Sequence, residues 1–373
     1  MNLVIGTSLL LALIVAEIIF LTKVKGEKLP WKEIVANVNS GHVMLWLIRG
    51  SILIVYQFVG NNLSIDIMHN IPIFLQWIIV IFAWDFFFYW SHRMHHTLLF
   101  LWKVHSTHHQ PEHFNLSLGI RNSWYQPLTS FPFFMILAVI GVPIEQFMLV
   151  SAFHYFVQFY NHNSIVNKSG ILEKIIITPS HHRVHHGKNE EYLNKNLGGT
   201  FIFWDKLFGT FQEEREDIKI IYGNTDETNP VNPFWANMDP MFKFFRLNIK
   251  EGKKPIQPIK IKDRYIVLGS LLLFLLFLVY INNEQQWSFQ PLAILFIIIF
   301  FGTIALGSIS NGHKIGLISW IVLAVPGAAI YAFFYGYVEL PVLGILGAII
   351  LHGIVGIFSL LNRNNSEIIT ASE

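Results

Sequence analysis

Three segments of the chain repeat one spacing, H-x-x-H-H. They are His92, His95 and His96; His105, His108 and His109; and His182, His185 and His186, the last preceded by His181. These segments hold ten of the seventeen histidines, and the chain contains no cysteine. On a helix, positions i, i+3 and i+4 share a face, so each segment can aim its imidazoles at one point. Crowded imidazoles oppose one another's protonation, and a shared metal removes that conflict because the neutral ring is the ligand. A structural zinc takes four ligands and usually includes cysteine, whereas a single-metal hydrolase needs three ligands plus a water. Eight to ten histidines instead suggest two metals, and an all-imidazole set suits iron, zinc, copper or nickel. Spacing and composition stop at a two-metal site.

Three further residues attach to this reading. Asp85 stands seven residues before His92 and eleven before His96, on the same helical face. A carboxylate inside an apolar run is costly and usually functional, and its natural role is to accept the second ring N–H of a ligand histidine. His162 lies where the chain returns from an apolar hairpin and is a reasonable further ligand. His154 is eight residues earlier, about 12 Å deeper on a helix, and reads as a cavity-lining or packing residue. The isolated His42, His69, His313 and His352 read as ordinary polar residues.

The elements that must carry these residues are membrane helices. Of 373 residues 53% are hydrophobic and 13% charged, too little charge to cover a soluble domain of this length. The apolar residues fall in runs near Leu3–Thr22, Val43–Gly60, Ile71–Trp90, Trp124–Ile140, Ile144–Tyr160, Tyr265–Ile281, Leu292–Ile309, Ile315–Tyr335 and Leu340–Leu361. A span needs about 20 such residues, so nine are expected. The two before Asn161 join through Gly141-Val142-Pro143 as a hairpin that is short enough to be re-entrant. The first run precedes Lys23, Lys25, Lys28 and Lys32 with no small-residue cleavage site, and is expected to stay as a membrane helix. Arg49, inside the second run, would have to snorkel or pair.

Charge sets the expected orientation. The stretch from Asn163 to Arg264 carries sixteen of the twenty-six lysines and arginines, while the loops 61–70, 282–288 and 336–339 carry none. The histidine segments and the carboxyl terminus are therefore expected in the cytoplasm. Fold class follows as all-α: a polytopic membrane helical bundle with a small cytoplasmic histidine-rich cap. Its expected parts are amino-terminal membrane helices (1–70), a metal-binding domain (71–215), a cytoplasmic connector (216–264) and a four-helix membrane block (265–362). Within the cap, Gly199–Phe211 suits short strands or a tightly packed loop, and Glu213–Asp217 a solvated turn. A formal net charge of +2 with no basic stripe gives no reason to expect a nucleic-acid partner.

At these residues the sequence resembles the fatty acid hydroxylase/sterol desaturase superfamily of membrane di-iron oxygenases. The matching text is DFFFYWSHRMHH (Asp85–His96), LWKVHSTHH (Leu101–His109), PSHHRVHHG (Pro179–Gly187) and NLGGTFIFWDKLFGTF (Asn196–Phe211) with its W-D-x-x-F-G-T signature. FNLSLGIRNSWYQ (Phe114–Gln126) and the additional carboxyl-terminal helices look most like the alkylglycerol monooxygenase-type group. Thr97 departs from that group, which typically has glutamate there, so ether-lipid cleavage and pterin dependence do not carry over with the boxes. The resemblance implies metal ligation by His92, His96, His105, His108, His109, His182, His185 and His186, with His162 and His181 as additions and His95 a weaker position.

It also implies two iron ions, dioxygen as co-substrate, and hydroxylation or desaturation of a membrane lipid such as a fatty acyl, sterol or ether lipid. The chain shows no nucleotide fingerprint, haem motif or cysteine-ligated cluster, so electrons would come from a separate donor docking on the basic face. Lipid would enter sideways past aromatics such as Phe86–Tyr89, Trp124–Tyr125 and Phe131–Phe134. Two readings compete: a histidine-rich metal transporter, whose ligands should lie near mid-bilayer, and a metal-dependent lipid hydrolase.

Overall fold

The computed structural model describes residues 3–40, 42–224, 231–249, 258–259, 261–335 and 340–370, and the side chains among them apart from 42–49, 51 and 360–370. Arg49, His42, the loop 336–339 and parts of the 216–264 connector lie outside that description. Among the described residues the chain is helical throughout: α1 (Leu3–Lys23), α2 (Trp31–Ser40), α3 (His42–Leu63), α4 (Ile73–Thr97), α5 (Leu99–His109), α6 (Gln126–Val139) and α7 (Ile144–Asn161) precede the cap. The cap holds α8 (Pro179–His185), α9 (Phe203–Leu207) and α10 (Pro233–Phe244), and α11 (Asp263–Asn283), α12 (Phe289–Ser310), α13 (Lys314–Tyr335) and α14 (Leu340–Thr370) follow. No strand forms among them; one antiparallel bridge, Ile176 with Phe201, is all that the cap contains. Gly199–Phe211 is thus the packed loop rather than the strand pair.

Among the described residues six helices are long and apolar enough to cross a membrane: α1, α4, α11, α12, α13 and α14 as far as Ser359. The chain is a multi-pass integral membrane protein. The hairpin explains part of the difference from nine. At 14 residues α6 is about 21 Å long, shorter than the roughly 30 Å apolar thickness of a bilayer. Gly141, at φ +90°, turns the chain into α7, a conformation that L side chains rarely adopt. The segment before α4 closes over this turn, Ile65 N–H donating to Val139 and Met68 N–H to Ile140.

Two apolar cores result. One packs α3, α4, α6 and α7 around Val80, Trp84, Leu137 and Phe147. The other joins α11–α14 to α1 and α2 around Leu276, Leu295, Trp320 and Leu346. Polar ties hold α2 within the second core: Asn39 donates to Ser270 Oγ and Lys32 Nζ to the Ser310 carbonyl. Through α2 the carboxyl-terminal block thus braces the segments that follow the second histidine box.

Candidate metal centre

A single extended residue, Leu98 (φ −94°, ψ 123°), separates α4 from α5. That break lets the last turns of α4, with His92 and His96, face His105 and His109 on α5. The third box sits on α8, whose start is set by Pro179 in the first turn and a capping box at Thr178. His162 ends α7.

These elements gather nine histidines into two groups. His92, His96, His105, His109 and His185 form one; His108, His162, His182 and His186 form the other. Within each group the nitrogen atoms on offer all lie within 4.8 Å of one another. The groups abut, with the His109 and His186 rings stacked at 4.4 Å. Each box does not aim at one point, as the helical spacing suggested. In the second and third boxes the i and i+4 histidines enter one group and the i+3 histidine the other. Residues i+3 and i+4 flank residue i on opposite sides of its row, and two adjacent centres exploit that offset. In the first box His92 and His96 behave the same way, but His95 enters neither group. Its Nδ1 donates to the Ser91 carbonyl and its Nε2 meets Thr129 Oγ1, and His162 joins the second group from α7 instead.

Outer hydrogen bonds fix the tautomers. A carbonyl only accepts, so an Nδ1 bonded to one carries the hydrogen and leaves Nε2 as a lone pair. This applies to His92 with Leu197 (2.9 Å), His108 with Arg121 (2.7 Å), His162 with Gln158 (2.7 Å) and His185 with Lys195 (3.0 Å). His108 and His162 nonetheless bring Nε2 atoms to 3.2 Å of each other. Two lone pairs repel, and a cation between them removes the repulsion. His162, His182 and His186 also form a triangle of Nε2 atoms with sides of 3.0, 3.2 and 3.2 Å. Neighbouring ligands at right angles on a metal with bonds of about 2.1 Å would be roughly 3.0 Å apart. The donor set therefore fits a pair of metal ions. Burial keeps the rings neutral, the ligating form: it pushes His108 down to about 4 and His185 to about 3, and holds His105, His109, His182 and His186 well below the ordinary imidazole range.

Two expected site residues are placed elsewhere. His181 lies outside both groups, where its Nδ1 accepts the Thr178 N–H in the capping box. Asp85 accepts from Thr200 N–H (2.6 Å), Phe201 N–H (3.0 Å) and Trp204 Nε1–H (3.0 Å) rather than from a histidine of either group. It anchors the cap loop to α4. Asp205 of the W-D-x-x-F-G-T segment works from within that loop, accepting from Leu197 N–H, Gly198 N–H and Thr210 Oγ1–H. Thr97 is exposed and donates back to the Arg93 carbonyl.

Other anchors carry no periodic signal. Glu17 of α1 is 2% exposed and accepts from Leu116 N–H (2.6 Å) and Ser164 N–H (2.8 Å), which flank the second box and His162. Glu33 of α2 accepts from the N–H groups of Glu112 and His113. Arg121 is fully buried and donates to Thr107 O, Asn37 Oδ1 and Gln110 Oε1 behind His108. Glu17 was visible in the sequence as the one carboxylate of the first apolar run.

A cavity of about 350 Å³ opens beside the histidines, between helices α1, α3, α4, α6 and α7. His92, His105, His108, His162 and His182 form one wall, and Phe88, Phe131 and Phe134 are among the apolar residues opposite. His154 lines it, whereas Trp124 is buried against the Ser40 carbonyl.

Residues 77–210 match the fatty acid hydroxylase family model, and that segment supplies every histidine of both groups. Among curated relatives, the chain is 41% identical over 161 residues to alkylglycerol monooxygenase of Homo sapiens, 43% of this chain and 36% of that protein. It is 36% identical over 208 residues to alkylglycerol monooxygenase of Caenorhabditis elegans (54% and 41%) and 30% identical over 187 residues to ornithine lipid hydroxylase of Rhizobium tropici (49% and 55%). The chain thus spans about a third to just over half of the length of these relatives. No solved structure matches it.

Proposed function

We propose that this chain is a membrane-embedded di-iron oxygenase that hydroxylates a lipid. The observation that carries the reading is the pair of abutting all-imidazole groups, with lone pairs of His108 and His162 facing each other, on the wall of an apolar cavity between membrane helices. The five-histidine and four-histidine groups would each hold one iron, and the irons would supply the redox chemistry between dioxygen and an unactivated C–H bond. Leu197, Arg121, Gln158 and Lys195 carbonyls keep the ligating nitrogens bare and aimed. The cavity keeps water away and presents the alkyl chain of the lipid to the histidine wall.

Hydroxylation adds one oxygen atom to the lipid and reduces the other to water, which consumes two electrons and two protons. A separate donor would deliver the electrons at the lysine-rich side that carries the histidine boxes, which the distribution of lysines and arginines favours as the cytoplasmic one. The names of the relatives, an alkylglycerol and an ornithine lipid enzyme, favour an amphipathic lipid as substrate. Position also favours this reading over transport: His92 and His96 occupy the final turns of the 25-residue α4 rather than its middle.

The test is purification, metal analysis and turnover under oxygen-18 gas. Two irons per chain and label in a lipid hydroxyl support the proposal. New double bonds without label would move it to desaturation. Two irons with neither product would overturn it.

A further inference from the structure

Leu75, Ile78 and Phe82 form an exposed apolar stripe on α4, and Phe86 and Trp90 continue it turn by turn. The cap loop runs along that stripe. Phe201 stacks on Phe82 at 4.9 Å, Trp204 meets Phe86 at 5.1 Å and Phe208 meets Trp90 at 5.1 Å. An apolar layer of roughly 30 Å takes up about 20 helical residues, which from Ile73 reaches Arg93, the first arginine or lysine of α4. Contacts at Phe82 and Phe86 therefore fall inside the layer.

Irregular backbone is tolerated at that depth only where protein satisfies it. Asp85 accepts the N–H groups of Thr200 and Phe201, and Asp205 those of Leu197 and Gly198. The Ile175 carbonyl, just past the helical turn Gly170–Lys174, accepts the Ile202 N–H, and the Thr200 carbonyl accepts the Ile177 N–H. Ile177 and Ile202 are fully buried, yet Ile171, Ile175 and Leu207 are 74%, 55% and 66% exposed, more than Ile78 of the α4 stripe at 46%. The charges nearby are accommodated. Glu173 turns inward to the Ser169 N–H and Ser180 Oγ–H, Lys206 Nζ donates to the Lys174 carbonyl, and the Lys174 stem is long enough to snorkel.

We propose that segments 170–176 and 201–208 form a foot that seats the cap in the acyl layer of the bilayer beside α4. The partner of Ile171, Ile175 and Leu207 is lipid, and Asp85 replaces the water that the loop backbone would otherwise need. The inference rests on the multi-pass fold and not on the chemistry of the histidine site.

The chain has no cysteine, so a single introduced one carries a label uniquely. Ile171→Cys, Ile175→Cys and Leu207→Cys are labelled with bimane in the full chain, reconstituted into phosphatidylcholine vesicles. Quenching by doxyl-labelled phosphatidylcholine is then compared with quenching by aqueous iodide. The lipid-to-iodide ratio of the three should match Ile78→Cys and exceed Asp217→Cys several-fold. Ratios like that of Asp217→Cys, or quenching by neither agent because a second copy of the chain covers the foot, would overturn the proposal. The unsubstituted chain gives a second reading with a lipid that carries a photoactivated diazirine. Adducts are expected on 170–176 and 201–208, and their confinement to the long helices would overturn it equally.

Discussion

Asp205 reaches His92 through one residue. Its carboxylate accepts the Leu197 N–H, and the Leu197 carbonyl accepts His92 Nδ1–H. Asp205→Asn keeps the size but cannot accept at both Leu197 and Gly198. Weakening such an outer partner typically lowers metal affinity about 10–100-fold. Chelator competition on the purified variant measures this, and wild-type affinity would show that the Leu197 carbonyl does not depend on Asp205.

His108→Ala removes one of four nitrogens from its group and leaves Arg121 O without its donor. The variant should fail to retain the full complement of metal, whereas His313→Ala, remote in sequence from the boxes, should retain it. Metal counted per chain after gel filtration decides the matter, with equal counts refuting the grouping.

Glu17→Ala leaves the Leu116 and Ser164 N–H groups without their acceptor in a buried setting. Each such orphan costs about 1–3 kcal/mol. Thermal unfolding in detergent should show a large fall in Tm for Glu17→Ala and a smaller one for Glu17→Gln, which keeps one carbonyl oxygen. A Tm equal to wild type in both would show that α1 does not clamp the site.

The Glu33 hydrogen bond raises the His113 pKa above its ordinary value. A raised folded-state value means that the stabilisation is complete below the unfolded value near 6.5 and fades as pH rises through the folded one. The His113 side chain is 52% exposed, so the effect stays below about 1 kcal/mol. The Tm difference between wild type and His113→Asn should be present at pH 5.5 and gone at pH 8.5. A difference that grows with pH would contradict the pairing.

The boxes were legible because ligand chemistry demands one residue type at helical spacing, and three copies of one spacing do not arise from packing. The division of each box between two groups was not legible, since spacing fixes which residues share a face but not how many centres that face meets. His95 shows the limit: its spacing matches His108 and His185, yet Ser91 and Thr129 hold it elsewhere. Asp85 drew attention as an intramembrane carboxylate, but its partners come from a loop more than a hundred residues later, which no local pattern encodes. Arg121, Asn37 and Glu33 lie in polar segments where such residues are ordinary, so burial alone distinguishes them. The membrane helices followed from hydropathy; the shortness of α6 followed from where its turn chemistry cut the run.

The Glu17 clamp also says something about how the chain must be assembled. Its bonds from Leu116 and Ser164 close contacts across 99 and 147 residues. When the first helix leaves the ribosome, neither partner has been made, and its carboxylate must wait at the membrane unsatisfied until the hairpin and His162 arrive. Insertion of this protein therefore cannot finish one helix at a time. The earliest segment settles only once the chain around His162 is in place.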